Sequence, residues 1–386
     1  MPVLATPGRL AALLKQQPLE TYLLVIVPLT LAAMLEIIDP VFLSNLKTEI
    51  SSLIIFFSLL AGTGGVVFLF LVAVLSIYQV IKFLGARLTG NLQQLKKIPL
   101  LLFSTTYLLV VLGSFSLFST LIVRYHLFTS FSPGDIASAS NYLMNLDYKL
   151  FGVYPPLWLQ NFARYPWLDA PLIWSYRSLS LALATTTFFL AIGSTALFRR
   201  FVMALFFALF ISLPFWYVLP AITPDEMYRR NILASAAPAG IQAHLYQLSL
   251  SSTNLIQYLA TIRSTASQPA YHSYAVSSFP SLHASWGIII AYFGLRLWRP
   301  LGLILIPWSL LNLLGTVYTT QHYAVDTLFG IVIAVVAVMA ASYVLSQEGR
   351  HIPATTKYFA VLSSVQRDIK KLRARLNPFP SNPRQL

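Results

Sequence analysis

The chain has 386 residues, 57% of them hydrophobic and only 10% charged, where an ordinary soluble domain carries roughly 25% charged residues, and its mean hydropathy is +0.70. This composition excludes a water-soluble globular domain and specifies an integral membrane protein. The absence of cysteine excludes disulfides and thiolate metal sites, and a formal charge of +14 in such a chain reads as membrane topology before it reads as nucleic-acid binding.

In chain order, the opening MPVLATPGRLAALLKQQPLETYLL carries Arg9 and Lys15 ahead of a long apolar run. No small-residue cleavage pattern follows, so the run reads as an uncleaved first span. A helix needs about 20 mostly apolar residues to cross a bilayer. Eight stretches qualify, near 21–38, 53–82, 98–123, 178–198, 201–220, 284–298, 300–320 and 323–346. The expected fold class is therefore all-α, a polytopic membrane helix bundle. With both termini in the cytoplasm, 18 of the 26 Lys and Arg fall on the inner side, as the positive-inside tendency requires. The same orientation places a short loop at 39–52, long loops at 124–177 and 221–283, and a tight turn near 321 on the outer side. Residues 1–97 form an N-terminal region with two extra spans, 98–346 a core, and 347–386 a basic tail.

Several features along the way have plain explanations. Asp39-Pro40 ends the first span with Glu36 near the interface, and Gly62, Gly64 and Gly65 let helices approach closely. The stretch DYKLFGVYPPLWLQNFARYPWLD at 147–169 is rich in aromatics and proline, the composition of a headgroup-level anchor or of a lid over the outer end. In the tail, Val361, Val365, Ile369, Leu372 and Leu376 recur at helical spacing, with Arg367, Lys370, Lys371, Arg373 and Arg375 off that stripe. A basic amphipathic helix on the anionic cytoplasmic leaflet follows. Nucleic acid is not an expected partner, since nothing here reads bases.

The chemistry concentrates in SSFPSLHA at 277–284 and QHYAVD at 321–326. His283 opens the sixth span and His322 the eighth, both from the outer side, although neither entered the charge count. His322 and Asp326 are four apart, the spacing that stacks two side chains on one helix face. A carboxylate there can hold one ring nitrogen and leave the other free as a base or nucleophile. Pro280 and Ser281 mark a helix start, and a helix N-terminus favours a phosphate, which makes Ser281 a candidate substrate-binding residue and lets His283 stand over the phosphate to donate a proton to a leaving oxygen. Two His and one Asp could instead hold iron or zinc, although the proline and serine would then have no role.

Phe279-Pro280-Ser281-Leu282-His283 followed by His322-Tyr323-Ala324-Val325-Asp326 resembles the second and third signatures of the type 2 phosphatidic acid phosphatase superfamily. The FPSLHA variant with HYxxD looks most like the branch containing inositol phosphorylceramide synthases. The resemblance covers spans three to eight and leaves out spans one and two and the loop at 124–177. It implies a six-helix core, a covalent phosphohistidine on His322, Asp326 orienting that ring, His283 as general acid, and no cofactor or metal. It implies a lipid substrate, with either an alcohol acceptor (a lipid phosphotransferase) or water (a lipid phosphate phosphatase). Two departures stand out. The superfamily's lysine seven residues ahead of Arg-Pro has no counterpart, and Thr316 stands where an arginine precedes the nucleophile by six. A transferring phosphoryl group needs its charge neutralised, and Arg229, Arg230 and Arg263 in the 221–283 loop are the candidates, since a guanidinium fork suits phosphate oxygens. From another class, a transporter or scaffold could retain the bundle without the chemistry.

Overall fold

The computed structural model describes residues 64–90, 98–107, 131–229, 278–351 and 358–376, together with 18, 21, 22 and 93. Among these residues every regular element is a helix, in keeping with lipid, where a helix satisfies its own backbone. α1 is Gly64–Leu88 and α2 is Ile98–Tyr107. Residues 23–38 of the first expected span, 53–63 of the second and 108–123 of the third lie outside the described residues. α1 continues six residues past the expected end at 82, so Lys82 and Arg87 sit on the helix itself.

The outer segment departs most from a loop. α3 (Pro133–Phe151) starts with Pro133 in the first turn and a capping box, in which Ser132 Oγ accepts the Asp135 N–H and Asp135 accepts the Ser132 N–H. It ends at Gly152, whose φ of 70° suits a residue without a Cβ. α4 (Pro155–Gln160), a 3₁₀ turn at Asn161–Arg164 and α5 (Pro166–Arg177) follow, both α-helices opening on proline. Hydropathy windows miss these helices because α4 is only 6 residues long and polar residues interrupt α3 and α5. Their buried side is regular, however: Ile136, Ala139, Ser140, Leu143, Met144 and Asp147 form one stripe on α3 at the spacing of a packed face.

α6 (Leu179–Gly193) stops at Gly193, and Ser194 caps α7 (Thr195–Val218) by accepting the Leu197 N–H. The expected break near 199 therefore falls six residues earlier, and Arg199 and Arg200 belong to the first turns of α7. α8 (Pro224–Arg229) is short. Then come α9 (Leu282–Leu297), α10 (Arg299–Tyr318), α11 (Ala324–His351) and, in the tail, α12 (Ala360–Leu376). Among the described residues, α7, α10 and Ala324–Gln347 of α11 are long and apolar enough to cross a membrane, while α2, α6 and α9 are shorter apolar helices.

α9 is central, packing on α6, α7, α10 and α11. Two glycines set its surroundings. A Cβ on Gly330 of α11 would stand 2.6 Å from the Ser281 carbonyl oxygen, and one on Gly315 of α10 would collide with the Leu172 carbonyl of α5. Close backbone approach at these points draws α9 against α11 and α5 against α10. Asn312 Nδ2 donates to the Ser175 carbonyl, Trp308 Nε1 to Ser178 Oγ, and Tyr318 Oη to Asp169, so α5 is fastened along the length of α10. The aromatic stretch is thus joined to α10 at its end, through the buried Asp169.

Candidate active site

The site is built from two helix starts facing each other. At α9, Ser281 is the cap residue: its Oγ accepts the Ala284 N–H at 3.2 Å, and its own N–H donates to the Asp326 carbonyl at 3.2 Å. The hydroxyl that the sequence offers to substrate is fully buried and engaged as a cap, and Pro280 lies just ahead of the helix rather than in its first turn. At α11 the helix starts at Ala324, so His322 stands in the preceding turn and does not share a helical face with Asp326.

Their contact is made differently. His322 Nδ1 lies 3.0 Å from the Ser278 carbonyl oxygen and 3.5 Å from Asp326 Oδ2. Both oxygens can only accept, which assigns the hydrogen to Nδ1 and the free lone pair to Nε2. Asp326 Oδ2 also accepts the Ser278 hydroxyl at 2.6 Å and the Tyr323 N–H at 3.0 Å. Ser278 therefore serves both partners, holding the ring with its carbonyl and the carboxylate with its hydroxyl. It stands in the quoted motif, five residues before His283, but spacing along the chain gave it no role because both contacts are long-range.

His283, in the first turn of α9, has its ring centroid 5.8 Å from that of His322, close enough for one phosphoryl group to touch both. The ring stacks on Tyr176 of α5 at 4.6 Å and 17°, which fixes its plane. The turn between α10 and α11 is also constrained. Thr320 adopts φ 57°, uncommon for a β-branched residue, and its carbonyl accepts the Asp225 N–H from α8 while the His322 N–H donates to the Thr316 carbonyl. Tyr323 Oη donates to the Met227 sulfur. α8, which ends at Arg229, is thus seated on this turn; the Arg229 side chain, Arg230 and Arg263 lie outside what is described. Thr316, at the position of the missing arginine, pairs its hydroxyl with Thr327 at 3.2 Å. Among the described residues no group of three or more His, Cys, Asp or Glu is spaced to hold a metal ion.

The model of the PAP2 superfamily matches residues 141–340, about half of the chain. The chain belongs to this superfamily. It is accordingly an integral membrane enzyme, a phosphatase or phosphotransferase, and its PAP2 region runs from the middle of α3 into α11 and contains both histidines and Asp326. That extent corrects the range read from sequence: it takes in 141–177 of the outer segment and leaves out the third expected span. Comparison with curated proteins and with solved structures finds no match.

Proposed function

We propose that the protein is a lipid phosphotransferase of the outer leaflet, working through a phosphohistidine on His322. His322 Nε2 attacks the phosphorus of a lipid phosphoester, the P–O bond to the leaving group breaks, and His283 gives that oxygen a proton. An alcohol, deprotonated by the same His283, then attacks the phosphohistidine and restores free His322. In this reading Asp326 and Ser278 hold the nucleophile's ring and favour its cationic form. The observation that carries it is the imidazole pair: one ring with Nδ1 tied to the Ser278 carbonyl and Nε2 left free, the other 5.8 Å away.

Phosphate charge falls to the start of α9 and to Arg229, Arg230 and Arg263. Support for Arg229 comes from the seating of α8 on the catalytic turn through Asp225 and Met227. An alcohol acceptor, as in inositol phosphorylceramide synthases, is favoured because the outer helices α3 to α5 stand over the site and offer walls for a second substrate. In this orientation the tail is cytoplasmic, and the basic residues of α12 next to exposed Ile369 and Leu372 fit an anionic leaflet.

The test is incubation of the full chain in detergent with phosphate-labelled lipids, with and without inositol, other polyols and ceramide-like alcohols. A new labelled lipid that forms only with the alcohol supports transfer; free phosphate alone makes the enzyme a phosphatase. Inhibition by vanadate with activity surviving chelator supports the phosphohistidine, and the reverse overturns it. Absence of turnover, together with an intact cellular role in His322→Ala, identifies a scaffold.

A further inference from the structure

Asp147 has no part in the chemistry above, yet it is among the most deeply placed carboxylates of the outer end, 1% exposed on the apolar stripe of α3. Its Oδ2 accepts the Ala324 N–H and its Oδ1 the Val325 N–H, each at 2.9 Å. These are the first two residues of α11, directly between His322 and Asp326. The Tyr323 N–H next to them is taken by Asp326 itself.

We propose that Asp147 is the positioning residue of the active site, its carboxylate reaching across from α3 to fix the start of α11 and with it the angle at which His322 and Asp326 are presented. The proposal rests on the phosphoryl-transfer reading. Its physical basis is twofold. A helix start has unsatisfied N–H groups and the positive end of the dipole, and a carboxylate bonding two of them is held by charge-assisted bonds. The same occupancy removes α11 as an anion site, so that of the two helix starts facing the pocket only that of α9 remains for a phosphate. The outer segment is thereby part of the catalytic unit rather than an appendage to it.

The position also makes the brace sensitive to protons. Burial pushes the Asp147 carboxyl up, the two backbone N–H groups partly offset this, the nearby Asp326 charge adds to the rise, and the carboxyl titrates at about 7. The elements packed on α3 are α4, α8 and α11. α4 carries no ionisable residue, α8 carries Asp225, Glu226, Tyr228 and Arg229, the α11 end contributes Asp326 and the preceding His322 and Tyr323, and α3 itself carries Asp135, Tyr142, Tyr148 and Lys149. Once protonated, one oxygen becomes a donor and can no longer accept from the backbone, and half of the brace is released.

The test compares wild type, Asp147→Asn and Asp147→Glu in the labelled-lipid assay between about pH 5 and about pH 9, bracketing the histidine and shifted carboxyl ranges. Asparagine keeps the shape but can accept only one of the two N–H groups, so kcat above pH 7 falls about tenfold with KM changed less than about twofold. The limb of the profile near pH 7 disappears in Asp147→Asn and persists in Asp147→Glu. By hydrogen exchange at pH 8, the amides of Ala324 and Val325 exchange faster in Asp147→Asn while those of α12 do not. An unchanged kcat and profile overturns the proposal, and so does faster exchange spread over the whole bundle. If His322→Ala keeps full turnover, the underlying reaction scheme fails instead, and the exchange result still decides whether Asp147 holds α11.

Discussion

Two aspartates tie distant parts of this chain together at opposite ends of the bundle, and they do so in opposite electrostatic circumstances. Asp147, at the end that holds the histidines, is buried, bonds to backbone N–H groups, and has its carboxyl raised. Asp368, on α12 at the other end, is about a third exposed and is met by Lys82 and the Tyr78 hydroxyl of α1. Partial burial pushes its carboxyl up, but the bonds from Lys82 and Tyr78 together outweigh this and hold it below the usual range. The rest of that contact resembles a clasp. Ser104 of α2 both donates to the Tyr358 carbonyl and accepts the Val361 N–H, and Gln366 reaches the Ala191 carbonyl and Thr195 at the α6–α7 junction. Val361 and Val365 of the expected leaflet-bound stripe are buried there together with Leu362, so the start of that stripe is spent on the protein, while Ile369 and Leu372 stay exposed. A buried carboxylate on backbone donors sets geometry, whereas a partly exposed one in an ion pair holds parts together weakly.

This contrast can be broken or sharpened by experiment, the catalytic residues first. His322→Ala should abolish turnover by at least about a thousandfold, the scale seen when a covalent nucleophile is removed, without changing thermal unfolding of the purified protein. Ser278→Ala should cost about tenfold to about a hundredfold in kcat, since a buried hydrogen bond to a charged group is worth ~1.5–3 kcal/mol; wild-type kinetics would show that its hydroxyl does not serve Asp326. Gly330→Ala forces a methyl against the Ser281 carbonyl and should lower stability by ~1–3 kcal/mol, read as a lower melting temperature with activity lost in parallel.

The two aspartates should then respond to pH with opposite sign. Asp147 has a raised folded pKa, so the folded state favours its protonated form: its contribution to folding stability is full below the ordinary carboxylate range and is lost as pH rises through about 7, even though ionisation is what lets both oxygens accept from α11. Asp368 has a depressed one, so its contribution is present above that range and lost as pH falls through the folded value. Melting curves of Asp147→Asn should lack the loss of stability between about pH 4 and about pH 7, and those of Asp368→Asn should lack only the fall at low pH. The smallest effect is salt: Lys82→Ala should lower stability by less than ~1 kcal/mol, with the difference vanishing in high salt. A larger, salt-independent effect would mean that the cytoplasmic clasp is as buried in function as the outer brace.

Much of the site was legible in the sequence because its residues belong to two short motifs at helix starts. His283 and His322 could be put on one side of the membrane from the distribution of Lys and Arg alone. The partner assigned to His322 was less accessible: the four-residue spacing to Asp326 implied a shared helical face, whereas the helix begins two residues after the histidine and Ser278 carries the ring. The outer segment was misread as a loop for a related reason. Its start signal, Ser132-Pro133 with Asp135, and its stop at Gly152 were present, but the search was for runs of apolar residues long enough to span lipid. A carboxylate on an otherwise apolar stripe, Asp147 after Ile136, Leu143 and Met144, was the available clue.

The sequence by itself determined that this chain lives in a membrane and which two short motifs carry the paired imidazoles and a carboxylate, because hydrophobicity and motif spacing are properties of the chain in one dimension. Only the tertiary structure decided which nitrogen of His322 is free, that Ser278 and Asp147 hold the turn, and that the tail clasps the first helices to the core. Each of these depends on hydrogen bonds between groups 40 to 290 residues apart, and such bonds form where the packing of glycines, caps and buried stripes happens to bring backbone donors to a carboxylate.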